Sequence, residues 1–90
     1  MNIRWQLAAV SDLGDIRTYI SEENPAAAEA VTRRILRSVD RLQSFPNSGR
    51  IGVVPGTREV VVPGLPYVVV YTHDDDEVEI IAVFHGEQGR

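Results

Sequence analysis

The spacing of apolar residues changes from a helical to a strand-like period at Pro46-Asn47-Ser48-Gly49. Between Ala8 and Gln43 apolar residues recur at every third or fourth position, which is the period of an amphipathic helix. After Gly49 they alternate or form short runs between turn residues, which is typical of strands. Ninety residues fit one domain and not two, so we expect a single α+β domain over residues 1–90.

Two helices are predicted before this change. The first has an apolar stripe at Ala9, Leu13, Ile16 and Ile20. Asn24-Pro25 then favours a new helix start, because Asn caps helix N-termini and proline fits the first helical position. The second helix is predicted over residues 25 to about 43, and Phe45 is expected to pack after it. Its buried stripe comprises Ala28, Val31, Ile35, Val39 and Leu42. The short link predicts an antiparallel hairpin.

Strands are predicted on both sides of the hairpin. Ile3, Trp5 and Leu7 alternate with polar residues at the N-terminus. Four further strands are predicted at 51–54, 57–62, 67–73 and 77–84. The expected fold is an N-terminal strand and a two-helix hairpin packed on a mostly antiparallel sheet, in the order β-α-α-β-β-β with one further strand.

Alternation assigns the two faces of the last predicted strand. The face expected to meet the helices is wholly apolar and comprises Val78, Ile80, Ala82 and Phe84. The face expected to point away comprises Glu77, Glu79, Ile81, Val83 and His85. In the strand at 67–73 both alternate sets are largely apolar, so either could face the helices.

The composition excludes several kinds of chemistry. All nine basic residues are Arg, and the chain has no Lys and no Cys, which excludes lysine Schiff bases, disulfides, thiol nucleophiles and zinc thiolate sites. The net charge of −4 argues against broad, sequence-blind binding of nucleic acid. No apolar run is long enough to span a membrane, so we expect a cytoplasmic protein. We expect no cofactor and no metal site, because the two histidines lie at opposite ends of a predicted hairpin.

Several sheet-borne polar residues are candidates for catalysis. Arg residues, a carboxylate and an imidazole could together bind a phosphodiester and move protons without a metal. We define the candidate catalytic set as Arg50, Arg58, Glu59 and His85, with Tyr71 and Arg90 as neighbours of interest. The alternative is structural: Arg58 and Glu59 form an ion pair at the sheet edge, and His85 only ends a strand.

Two charged runs have both a functional and a structural interpretation. The second helix carries a basic stripe at Arg33, Arg34, Arg37 and Arg41. This stripe is either a docking surface for an acidic partner or a solvent face with helical pairs such as Glu29 with Arg33. Asp74-Asp75-Asp76 is expected to form a solvated turn rather than a cation site, because Asp favours turns and adjacent carboxylates repel one another.

Seven motifs, in order, resemble those of the RelE/ParE superfamily, the toxins of type II toxin-antitoxin modules. They cover nearly the whole chain: Trp5 in the first strand, Ala8-Ala9 to Tyr19-Ile20, Asn24-Pro25-x-Ala27-Ala28, Leu42 through Phe45-Pro46 to Gly49-Arg50, Gly56-Thr57-Arg58-Glu59-Val60, Pro66 to Tyr71, and Val83-x-His85-Gly86. The resemblance implies the helical hairpin on an antiparallel sheet that the periodicity also predicts. It further implies a cognate antitoxin of the ParD or RelB kind, and contact with operator DNA only through that antitoxin.

The resemblance implies one of two activities. One branch of the superfamily cleaves mRNA on the ribosome with basic residues and in some members a Glu or His; the other poisons DNA gyrase. Ribosome-dependent members are typically basic, whereas this chain is acidic, and Glu87 and Gln88 stand where Arg residues are common, leaving only Arg90. We therefore favour gyrase poisoning, with two alternatives: an mRNA endonuclease that uses the candidate catalytic set, or a non-toxic antitoxin-binding relative. In each case Arg33, Arg37 and Arg41 are expected to bind the antitoxin.

Overall fold

A computed structural model describes residues 1–86, and the predicted order of elements is confirmed. The elements are β1 (Asn2–Trp5), α1 (Leu7–Ser21), α2 (Pro25–Arg41), β2 (Arg50–Ile51), β3 (Arg58–Val61), β4 (Tyr67–His73) and β5 (Glu77–His85). The five strands form one sheet in the order β1-β5-β4-β3-β2. β1 runs parallel to β5, and the other three pairs are antiparallel. The chain is therefore an α+β fold with a mixed, mostly antiparallel sheet.

The hydrophobic core lies between the helices and one face of the sheet. α2 contributes Ile35, Val39 and the following Leu42, while α1 contributes Ala9, all of them fully buried. These residues recur at helical spacing, so the predicted stripes are the faces that the helices bury. The sheet contributes Val62, Tyr67, Val69, Tyr71, Val78, Ile80 and Val83. Tyr67, Val69 and Tyr71 are thus the set of β4 residues that faces the helices.

The start of α2 follows from Asn24-Pro25. The Asn24 side chain accepts a hydrogen bond from the Ala27 N–H at 3.0 Å, and Pro25 occupies the first helical position. Proline has no backbone N–H that could be left unsatisfied at this position, and the Asn24 side chain satisfies one of the free N–H groups in the first turn of the helix. Only residues 22–24 separate the two helices, which produces the predicted hairpin.

Two predicted boundaries near the sheet edges are wrong. Leu7 begins α1 instead of ending β1, and it is 87% exposed. The predicted strand at 51–54 contains only Ile51, because the chain turns at 54–57. In that turn the Val54 carbonyl accepts hydrogen bonds from the Thr57 N–H at 3.1 Å and from the Thr57 hydroxyl at 2.7 Å. Gly56 has a φ of +86°, a value that favours glycine.

The face assignment of the last strand is correct for its first half and wrong for its second. Tyr71 pairs with Ile80 while Val70 pairs with Ala82, so Ile81 is an extra residue that forms a β-bulge. The bulge shifts the alternation by one position. Val78 and Ile80 face the helices as predicted, but beyond the bulge Val83 and His85 do so in place of Ala82 and Phe84.

The end of α2 also differs from expectation. Phe45 does not pack into the core but is largely exposed, and the Arg41 guanidinium carbon lies 5.9 Å from its ring centroid. That distance is compatible with a cation–π contact at the surface. Among residues 1–86, neither helix has the length and apolar character that crossing a membrane requires.

Candidate functional site

A buried tyrosine holds the loop between α2 and β2. The Tyr71 hydroxyl accepts a hydrogen bond from the Gly49 N–H at 3.0 Å and donates one to the Pro46 carbonyl at 2.7 Å. Tyr71 is fully buried on the helix-facing side of the sheet. One side chain thus satisfies a donor and an acceptor of the loop backbone, as buried polar groups require.

Arg58 fastens the same loop from β3. It pairs directly with Tyr71 and therefore lies on the helix-facing side. Its Nη1 donates to the Gly49 carbonyl at 2.8 Å and to the Asn47 carbonyl at 3.4 Å. The His73 Nε2 lies 2.7 Å from the Asn47 Oδ1. The Arg58 guanidinium is thus hydrogen-bonded to backbone carbonyls of the loop, and these bonds help to order the loop.

Arg50 and Glu59 form an ion pair on the opposite face of the sheet. They are directly paired across β2 and β3, and Arg50 Nη2 lies 3.0 Å from Glu59 Oε1. Glu59 is only 6% exposed, and its other oxygen accepts a hydrogen bond from the Val53 N–H at 3.3 Å. The structural alternative, in which Arg58 pairs with Glu59, is not what the sheet forms: the two residues lie on opposite faces, and the cross-strand partner of Glu59 is Arg50.

His85 lies at the other end of the sheet. It pairs with Tyr67, whereas Arg58 pairs with Tyr71, four residues further along β4. At about 3.3 Å per residue this separation is about 13 Å along the strand. The candidate catalytic set therefore occupies three places: Arg50 with Glu59, Arg58 at the loop, and His85. Glu87, Gln88 and Arg90 lie outside the described residues.

The basic stripe of α2 is a solvent-facing row. Arg33, Arg37 and Arg41 are exposed and recur every four residues, so they span about 12 Å along one side of the helix. Glu29 pairs with Arg17 of α1 at 3.5 Å and not with Arg33. Within residues 1–86, neither Arg33 nor Arg37 forms an ion pair.

Arg34 has a different environment from the rest of the stripe. Its guanidinium donates a hydrogen bond to the Pro63 carbonyl in the turn between β3 and β4. This contact ties α2 to the sheet. Arg34 is therefore separate from the open row of Arg33, Arg37 and Arg41.

The three consecutive aspartates form the predicted turn. The Asp74 Oδ1 accepts hydrogen bonds from the N–H groups of Asp76 and Glu77, each at 2.8 Å. These two bonds favour the ionised form and lower the pKa of Asp74. In the part of the chain that the structure describes, no group of three or more His, Cys, Asp or Glu residues could hold a metal ion.

A cleft that the sequence did not predict lies between α1 and the end of β5. Its volume is about 510 Å³, and it is lined by Asp12, Asp15, Ile16, Tyr19, Tyr67, Val83, Phe84 and His85. The four residues from α1 recur at steps of three, one and three, so they share one side of the helix. This side of α1 lies next to the stripe that packs into the core. The helical spacing of these four residues is the one sequence feature that relates to the cleft.

Comparisons with known proteins relate the chain to one family. Residues 3–89 match the family model described as the ParE toxin of type II toxin-antitoxin system, parDE. A relative from Sinorhizobium fredii named "Putative toxin Y4kP" is 43% identical over 86 residues, which are 96% of this chain and 88% of the relative. Toxin RelE2 from Caulobacter vibrioides is 36% identical over 81 residues, or 90% of each chain.

A solved structure has the same fold. A chain from the chromosomal ParDE TA system of P. aeruginosa superposes with a TM-score of 0.83 at 25% sequence identity. The match covers 94% of this chain and 95% of that one. The similarity extends over the helical hairpin and the sheet together.

Proposed function

We propose, because this chain belongs to the ParE toxin family of type II toxin-antitoxin systems, that it inhibits growth by poisoning DNA gyrase. The observation that carries the choice of target is the separation of the candidate catalytic set into three places. Cleavage of a phosphodiester needs a phosphate-binding cation and proton-transfer groups within hydrogen-bond reach of one reacting centre. A protein that acts by binding another enzyme has no such requirement.

The contacts of the individual residues support this proposal. The Arg58 guanidinium already donates to two backbone carbonyls, and Arg50 is paired with the buried carboxylate of Glu59. His85 lies about 13 Å along the sheet from the position of Arg58. The net charge of −4 also gives little long-range attraction for a ribosome or a transcript.

The test measures gyrase directly. Purified toxin is incubated with gyrase, ATP and plasmid DNA, and supercoiling and protein-linked cleaved DNA are scored. We expect supercoiling to be lost and cleaved DNA to accumulate as toxin is added, and a matched reaction with the cognate antitoxin in excess should restore supercoiling. Unchanged supercoiling and no cleavage at saturating toxin would exclude gyrase as the target.

Transcript mapping during growth arrest separates the alternatives. We expect intact mRNA, and codon-positioned cuts that disappear in His85→Ala would instead establish the endonuclease. Expression of the chain without its neighbouring gene addresses the non-toxic alternative. Growth arrest that the antitoxin relieves is expected, whereas harmless accumulation of folded protein would contradict the toxin function itself.

We also propose that Arg33, Arg37 and Arg41 bind acidic residues of the antitoxin. The row is exposed, and its spacing of about 6 Å per step matches that of a helix carrying acidic residues every four positions. Opposite charges at an interface favour association and exclude other partners. Salt should weaken this contact, because exposed charges are screened.

Charge reversal tests this docking surface. The double variant Arg33→Glu with Arg37→Glu is expected to bind the antitoxin at least about tenfold more weakly, because it places like charges opposite one another. The measurement is titration calorimetry at two salt concentrations. The control, Arg33→Lys with Arg37→Lys, keeps the charge and should bind within about threefold of the unchanged chain. Equal affinity of the Glu variant would show that the antitoxin docks elsewhere.

A further inference from the structure

We propose that the cleft between α1 and the end of β5 binds an arginine side chain of a protein partner. The cleft is distinct from the basic row on α2, and its charge is of the opposite sign. Its α1 wall carries two carboxylates, Asp12 and Asp15, and the exposed ring of Tyr19. Its sheet wall carries Tyr67 and His85.

One of the two carboxylates has a fixed position. Asp12 Oδ2 accepts a hydrogen bond from the Val83 N–H at 3.0 Å, which ties the middle of α1 to β5. The bulge at Ile81 presents that N–H, because it shifts the alternation of β5 by one position. This hydrogen bond fixes the position of the Asp12 carboxyl group in the wall of the cleft.

The second carboxylate is available to a ligand. Asp15 is exposed, three residues after Asp12 on the same side of α1, and it has no hydrogen bond within residues 1–86. A guanidinium has five N–H donors in a planar fork, and it can therefore reach two carboxylates at once. The two carboxylates repel anions and attract a guanidinium group.

Aromatic rings also line the cleft. Tyr19 is 75% exposed, and the ring of Tyr67 meets the ring of His85 edge-on with centroids 5.6 Å apart. Exposed aromatic faces favour cations, and arginine stacks on them more often than lysine does. Ile16 and Val83 also line the cleft and give the aliphatic stem of the side chain apolar surface. This combination favours arginine over an inorganic cation.

The direct test uses a single blocked amino acid as the probe. N-acetyl-arginine amide is titrated into the purified full chain, and backbone amide shifts are followed by NMR. We expect saturable shifts at Asp15, Ile16 and Val83, with a Kd of about 1–10 mM for one side chain. N-acetyl-citrulline amide has nearly the same shape without the charge, and we expect it to bind at least about fivefold more weakly.

Matched variants locate the binding. Asp12→Asn combined with Asp15→Asn should weaken arginine binding by about tenfold, because both charges are removed while the Asn oxygen can still accept from Val83. Asp75→Asn changes one charge in the β4–β5 turn and should leave the affinity unchanged. The shift dispersion of each variant shows whether it is folded, and Asp15→Asn alone, which breaks no described hydrogen bond, should weaken binding about threefold.

Three results would overturn the proposal. They are the absence of shifts up to about 20 mM probe, equal binding of the citrulline analogue, and an unchanged affinity in the folded Asp15→Asn variant. None of these results depends on gyrase inhibition, so the outcome is independent of the proposed target.

Discussion

Replacing Gly49 by alanine is expected to lower the free energy of unfolding by about 3 kcal/mol. A Cβ at this position would lie 2.6 Å from the Tyr71 hydroxyl oxygen, 2.9 Å from the Tyr71 Cε1 and 2.9 Å from the Glu59 carbonyl oxygen. The Tyr71 ring is fully buried and the carbonyl belongs to β3, so neither can move without disturbing the core or the ladder. The loop must move instead and lose its hydrogen bonds to Tyr71.

The matched control is Gly14→Ala. Gly14 lies within α1, and a Cβ there meets nothing within 4 Å. Alanine in a helix interior is favoured over glycine, so this variant should gain about 0.5–1 kcal/mol. Urea unfolding measures the free energy of unfolding of both variants. If Gly49→Ala were as stable as Gly14→Ala, the loop at 46–50 would accommodate the added methyl group without loss of stability.

Tyr71→Phe is expected to lower the free energy of unfolding by about 2 kcal/mol. The substitution keeps the ring and removes only the hydroxyl, so the buried Gly49 N–H and the Pro46 carbonyl both lose their partner. Unsatisfied buried groups cost more than the hydrogen bond itself contributes. Tyr19→Phe removes a hydroxyl from an exposed ring and should change the stability by less than about 0.5 kcal/mol.

Tyr71→Phe should cost less stability when it is combined with Gly49→Ala. The atom closest to the added Cβ is the hydroxyl oxygen that Tyr71→Phe removes. The loss in the double variant should therefore be smaller than the sum of the single losses by about 1 kcal/mol. Additive losses would mean that the alanine is accommodated by movement away from the tyrosine.

Periodicity predicted most of the fold. The helical stripes and the strand at 67–73 are confirmed, because each has a clear period or clear turn residues at its ends. The bulge at Ile81 could not be predicted, because residues 80–84 are apolar on both faces and give no sign of a one-residue shift. The length of β2 also depends on hydrogen bonds within the 54–57 turn, which leave no periodic signal.

The site could be predicted only where neighbours in sequence decide it. Alternation alone puts Arg58 and Glu59 on opposite faces of a strand, but the partner of Glu59 depends on the β2–β3 register. The cleft was missed for a similar reason. Asp12 and Val83 are 71 residues apart in sequence, and only the tertiary fold brings the two walls together.

The pairing of β1 with β5 also determines when the sheet can form. Arg4 of β1 contacts Glu79 of β5, 75 residues later, and β5 lies between β1 and β4. Among residues 1–86 the last strand that a ribosome makes is therefore an interior one, and a nascent chain that ends before residue 77 leaves β1 without its partner strand. Contacts this distant in sequence are slow to form. The order of synthesis therefore delays closure of this sheet until β5 has been made, although β1 is the first strand to leave the ribosome.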